Sequence, residues 1–154
     1  MNHKILMVSS TGLPKEKIEQ IRAAVPSADI VVTEDTAESI NAHLEGVHAL
    51  IGCPRPLFSA ELLQKVKGTL RWIHAGGAGC DEFLIPELIE SEVVLTNGRV
   101  IQGPEVADHA LSLLLALTRN LHYVLRGQAK DMPRPVELRR KIAVVVGVGG
   151  VGML

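Results

Sequence analysis

Short apolar runs alternate with stretches whose apolar residues fall three and four apart, and this rhythm repeats through the first hundred or so positions. Ile5, Leu6, Met7 and Val8 make the first run. Unbroken apolarity over so few residues predicts a strand buried on both faces. Pro14 then opens a helical stretch with Ile18, Ile21 and Val25 on one face, and Pro26 ends it. Ile30, Val31 and Val32 predict a second strand, Ala49, Leu50 and Ile51 a third, residues 70–73 a fourth, and Val93, Val94 and Leu95 a fifth. Between them, Asp35 or Thr36 suits the N-cap of a helix carrying Ile40 and Leu44 and stopped by Gly46. Ser59 suits the cap of a helix with Leu62, Leu63 and Val66, and Asp81 that of one turning Phe83, Leu84, Leu88 and Ile89 inward.

Five such repeats imply an α/β fold: a flavodoxin-like parallel five-stranded sheet with helices on both faces. Binding sites in such sheets form beyond the carboxyl ends of the strands. After the fifth strand the rhythm changes. Residues 103–127 carry one helical pattern, a rod of roughly 36 Å at the usual rise. Pro104 suits its first turn, and Glu105 and Asp108 suit the positive end of its dipole. Val106, Ala110, Leu113, Leu117, Leu121 and Val124 form one apolar stripe, and Ala107, Leu111 and Leu115 a second. Two stripes predict burial on two sides, as in a helix running from one domain into another. Asp131, Pro133 and Pro135 mark a linker.

The most specific signal comes last. Ile142, Ala143, Val144, Val145 and Val146 predict a new strand, followed by Gly147-Val148-Gly149-Gly150-Val151-Gly152. A strand running into G-x-G-x-x-G is the dinucleotide fingerprint. Gly147 permits the tight turn, Gly149 lets the backbone approach a pyrophosphate, and Gly152 lets a following helix pack closely. Gly150 and Val151 lie between them as further cofactor-binding candidates. Only Met153 and Leu154 follow, so the helix whose N-terminus would receive the pyrophosphate is not among the 154 residues. Nor is the acidic residue expected ~20 positions further on. The 154-residue chain is therefore expected to bind no dinucleotide appreciably.

Composition narrows the remaining classes. Sixteen basic and seventeen acidic residues give a net charge of -1, which offers no field for nucleic acid or an anionic membrane. The basic run from Arg119 to Lys141 lacks aromatic interleaving and reads as a solvated helix end plus linker. Apolar runs fall short of the ~20 residues needed to span a bilayer. Cys53 and Cys80 form no disulfide framework, and the six histidines show no metal-ligand spacing. With no signal peptide apparent at Met1, the expected location is cytoplasmic.

Three segments in order point to one family: Leu70-Arg71-Trp72-Ile73-His74-Ala75-Gly76-Gly77-Ala78-Gly79-Cys80-Asp81; then Val94-Leu95-Thr96-Asn97-Gly98 with Gly103-Pro104-Glu105-Val106-Ala107-Asp108-His109; then the glycines from 147 to 152. Together they resemble the D-isomer-specific 2-hydroxyacid dehydrogenases, among them glyoxylate/hydroxypyruvate reductases, over essentially the whole chain. The resemblance implies an oxidoreductase that transfers a hydride between NAD or NADP and a small 2-hydroxy or 2-oxo acid. It implies a substrate domain over 1–102, a long interdomain helix over 103–130, a linker over 131–140, and the truncated start of a Rossmann domain over 141–154.

The loop of Gly77, Ala78 and Gly79 is then expected to bind substrate, with the amides of Ala78 and Gly79 as carboxylate donors. Glycines after a strand free the backbone to aim several N–H groups at one point, an anion nest. The family's arginine, acidic residue and histidine all lie beyond the glycine fingerprint, so no catalytic residue is expected in this chain and it is expected to be inactive alone. His109 matches a helix-start position instead, and His74 is a candidate for lining the cleft. Arg140 stands where relatives usually have glycine. Family members usually dimerise. The unpaired apolar strand at 142–146 is expected either to drive self-association or to dock on the chain's own surface.

Two other readings arise from the residues. Ser9-Ser10-Thr11-Gly12 vaguely resembles a flavin phosphate loop, but the chain has few aromatics to stack a flavin. A non-catalytic α/β fragment that binds a small carboxylate or a partner chain is the alternative from a different class.

Overall fold

The computed structural model describes residues 2–9 and 14–154. Of the serine-rich stretch after the first strand, only Ser9 falls among them. By its internal contacts the chain divides into two compact units, Met1–Gly98 and Arg99–Leu154.

The first unit is built on five parallel strands: β1 His3–Val8, β2 Ala28–Thr33, β3 Val47–Ile51, β4 Trp72–Ala75 and β5 Val94–Asn97. Their order is β2-β1-β3-β4-β5, the flavodoxin-like arrangement the repeats predict. Helices α1 Lys15–Ala24, α2 Ala37–Asn41, α3 Ala60–Lys65 and α4 Pro86–Ile89 connect them. The order reverses at β1, so right-handed crossovers put α1 on one face and α2, α3 and α4 on the other. The core lies on the three-helix face: Leu6, Leu50 and Ile73 from the sheet meet Ile40, Leu62, Val66, Phe83 and Leu88. Phe58 and Phe83 pack with their ring centroids 4.9 Å apart.

Caps settle where the helices start. Thr36 Oγ1 accepts from the Ser39 amide and Ser59 Oγ from the Leu62 amide, each satisfying one unpaired N–H of a helix start. Asp81 caps nothing. The chain there makes a 3-10 turn, Asp81–Phe83, and then α4, whose first residue is Pro86. Pro86 forbids one continuous helix; Phe83 and Leu88 are buried as expected, whereas Leu84 and Ile89, expected inward, face solvent. The opposite sheet face is more open than continuous apolar strands suggest. In the β4–β5 register, Trp72 lies beside Val94 and His74 beside Thr96, and Val94 is 58 % exposed.

The second unit departs further from expectation. The pattern over 103–127 forms two helices, α5 Gly103–Thr118 and α6 Leu121–Leu125. Asn120 breaks the rod with φ of 57°, and its Nδ2 donates to the Pro133 carbonyl at 2.7 Å. Asparagine tolerates the left-handed region and carries its own donor, so it ends a helix where apolar spacing alone would continue it. The expected burial on two sides is also absent: Leu111, Leu113, Leu115 and Leu117 are all exposed.

Residues 142–146 form no strand. A strand needs a neighbour for its N–H and C=O groups, and this stretch has none among the described residues; Ile142 is 90 % and Val146 96 % exposed. Arg140 adopts φ of 60°, a conformation glycine takes without strain. Among the described residues, no helix is long and apolar enough to cross a membrane.

Candidate functional site

Parallel strands bring their carboxyl ends to one rim of the sheet, and three of those ends meet around residues 76–80. β4 leads directly into the loop. β5 ends at Asn97, paired in register with Ala75, the last residue of β4. β3 leads through Gly52 into a 3-10 turn at Arg55–Leu57. Gly52 is required for this exit: its φ is 73°, its amide donates to the His74 carbonyl at 2.9 Å, and a Cβ there would stand 2.6 Å from the Val8 carbonyl oxygen.

Each of the three successive ends supplies or receives a bond that fixes the loop. The Gly98 amide donates to the Gly77 carbonyl at 3.0 Å. Asn97 Nδ2 donates to the Ala78 carbonyl at 2.6 Å. An Arg55 guanidinium nitrogen, NH2, donates to the Gly79 carbonyl at 3.1 Å. In a planar trans peptide the C=O and N–H point in opposite directions. Holding the carbonyls of residues 77, 78 and 79 therefore turns the amides of Ala78, Gly79 and Cys80 the other way. Among the described residues, none accepts a hydrogen bond from these amides or from that of Gly77.

The way the loop achieves this differs from the glycine-conformation argument. Neither Gly76, Gly77 nor Gly79 has a positive φ. The alternating-handed nest is not formed, and the clamped carbonyls orient the amides instead. A Cβ at 79 would meet the Arg55 NH2 nitrogen at 2.8 Å, so the guanidinium would have to shift to admit a side chain there.

Other singled-out side chains fall around or away from this loop. His74 lies on the open sheet face, its Nδ1 2.9 Å from Thr96 Oγ1, which also accepts from Trp72 Nε1 at 2.8 Å. His109 is exposed in α5. Cys53, after β3, is buried, and burial pushes its thiol up to about 11. Cys80 is half-buried. Among the described residues no group of three or more His, Cys, Asp or Glu could hold a metal ion.

Gly147, Gly149, Gly150, Val151 and Gly152 form a turn within the second unit. Gly147 has φ of 104°, as a tight turn demands. The turn closes on itself: a Cβ on Gly152 would collide with the Gly147 carbonyl oxygen, and the Met153 amide donates to the Gly149 carbonyl at 3.2 Å. The Gly150 carbonyl packs against Gly103 at the start of α5. Folded on itself in this way, the turn does not present the open cradle a pyrophosphate needs.

Sequence reading missed Arg55 and Asn97. Arg55 is flanked by Pro54 and Pro56 just past a predicted strand end, a rigid setting for a charge at the functional rim. Asn97 sits in the Thr96-Asn97-Gly98 segment at the end of the fifth strand, but only the register with β4 reveals what it reaches.

The family described as D-isomer specific 2-hydroxyacid dehydrogenase, catalytic domain, matches residues 5–146. Among solved structures, the chain is similar to apo D-mandelate dehydrogenase of Rhodotorula graminis, with TM-score 0.62 and 19 % identity over 86 % of this chain and 42 % of that one. It is also similar to a 2-hydroxyacid dehydrogenase of Ketogulonicigenium vulgare Y25, with TM-score 0.59 and 21 % identity over 99 % of this chain and 50 % of that one. A phosphoglycerate oxidoreductase of Rhizobium etli gives TM-score 0.51 and 19 % identity over 97 % and 50 %. At these identities the likeness is one of fold. The chain spans half the length of these proteins or less.

Proposed function

The chain belongs to the D-isomer specific 2-hydroxyacid dehydrogenase family, and from that premise we propose that its loop 77–79 receives the carboxylate of a small 2-hydroxy or 2-oxo acid. In the corresponding reaction, a hydride passes between NAD or NADP and the C2 carbon of that acid. One observation carries this reading: three consecutive carbonyls are tied to protein donors while the neighbouring amides have no acceptor among the described residues. Backbone N–H groups left without an acceptor on one loop can receive an anion, and bonds to an ionised oxygen are about twice as strong as neutral ones.

In this reading the acid is held by backbone amides of the loop. The glycine turn is folded on itself, so this chain alone binds neither NADH nor NADPH appreciably. Amide chemical shifts of the 15N-labelled chain test the first part: titration with glyoxylate should move Ala78, Gly79 and Cys80 while the β1 and β2 amides stay fixed. An unchanged loop would refute the site. Calorimetry tests the second part, and micromolar heats with NADH or NADPH would refute it.

The exposed leucines of α5 favour a second role for this chain, binding a partner chain or another copy of itself. Sedimentation of the purified chain tests that role, and a concentration-independent monomer would exclude self-association.

A further inference from the structure

Resting on the carboxylate reading of loop 77–79, we propose that Arg55 is the positioning residue of that site, bracing the loop and supplying the positive charge that favours an ionised acid there. Three observations converge on it. Its NH2 nitrogen donates to the Gly79 carbonyl at 3.1 Å. The same nitrogen would stand 2.8 Å from a Cβ on Gly79 and 3.6 Å from one on Gly77, so the guanidinium lies across both glycines. Its NH1 nitrogen is 3.7 Å from Glu82 Oε1, an exposed pair with side chains 43 % and 57 % accessible.

These contacts define two separable actions. The bond to Gly79 fixes the plane of the 79–80 peptide and thereby aims the Cys80 amide. The charge acts over a longer range. A guanidinium stays ionised at any working pH and is weakly hydrated, so it can rest against backbone without losing its charge. It favours an anion bound at the neighbouring amides. Glu82 acts in the opposite sense, because its carboxylate offsets part of the Arg55 charge and repels an incoming acid.

Opposite signs make the proposal testable beyond a loss of structure. Affinity for glyoxylate is measured by amide shifts in the 154-residue chain as found, Arg55→Gln, Arg55→Lys and Glu82→Gln, at low and high salt. Arg55→Gln keeps a donor but no charge, and should weaken binding about tenfold and flatten its salt dependence. Arg55→Lys restores the charge and should recover most of that loss. Glu82→Gln alters an exposed side chain and should tighten binding about two- to threefold.

If the unaltered chain shows no shift at residues 78–80, the carboxylate reading itself fails. If that chain binds and Arg55→Gln binds equally with the same salt dependence, only the role of Arg55 fails. If Arg55→Gln does not fold, Glu82→Gln still decides, because unchanged or weakened binding there would overturn the charge assignment.

Discussion

The side-chain amide of Asn97 reaches from the end of β5 to the carbonyl oxygen of Ala78, 2.6 Å away. This bond joins an edge strand to the middle of the loop and sets the plane of the peptide that carries the Gly79 amide. Asn97→Asp replaces the donor with an acceptor of almost the same shape and sets a negative charge against a carbonyl. Glyoxylate binding should fall at least about tenfold, and stability by about 1–2 kcal/mol. Urea unfolding beside the amide-shift titration checks both, and unimpaired binding would show that the clamp is not needed.

Gly52→Ala should cost more stability than most single changes in the first unit. Alanine disfavours φ of 73°, and its Cβ would press on the Val8 carbonyl, which is backbone and cannot rotate away. A loss of about 2–4 kcal/mol in urea unfolding is expected. Gly46→Ala is the control, because its φ is also positive at 69° yet nothing lies near its Cβ position. It should cost only about 1 kcal/mol.

Cys53 makes stability depend on pH in the alkaline range. Burial raises its pKa from 9.0 to about 11 in the folded chain, so unfolding favours the thiolate. Below pH 9 both states keep the proton and the group adds no pH dependence. Between pH 9 and 11 the unfolded chain releases it first, and stability falls by about 2–3 kcal/mol in all. Cys53→Ala should lack this portion of the decline. Parallel curves for the two proteins from pH 8 to 11 would contradict it.

The tail after Asp131 should govern solubility. Ile142, Val144, Val145, Val146 and Val148 are all exposed, with no strand partner for their backbone. Removing residues 132–154 should raise the concentration at which the chain stays monomeric, as read by light scattering. No difference would mean that another surface drives association.

Local signals were legible where a residue acts on its neighbours. Thr36 and Ser59 cap their helices as their types suggest, and Gly147 takes the positive φ of a tight turn. The sheet was legible because five apolar runs separated by helices admit few topologies. What escaped depends on contacts distant in sequence. Asn97 lies nineteen residues from Ala78 and Arg55 twenty-four from Gly79, and no periodicity links them. The long helix was misread for the converse reason. Apolar spacing runs unbroken past Asn120, and only the bond from its side chain to Pro133 shows why the backbone turns there. Residues 142–146 have strand propensity but form no strand, because composition cannot supply a neighbour.

Every strand of the first unit runs the same way, so its two ends have different tasks. The buried strand centres carry the packing, while the carboxyl ends release the loops that gather at the rim. Arg55 and Gly79 lie beyond the ends of β3 and β4, and Asn97 is the last residue of β5. Substitutions along that rim can redraw the shape and charge offered to an acid while the hydrophobic interior remains intact. A fold arranged this way can vary its chemistry at the rim, with the cost in stability confined to positions such as Gly52 and Asn97 that hold the loops in place.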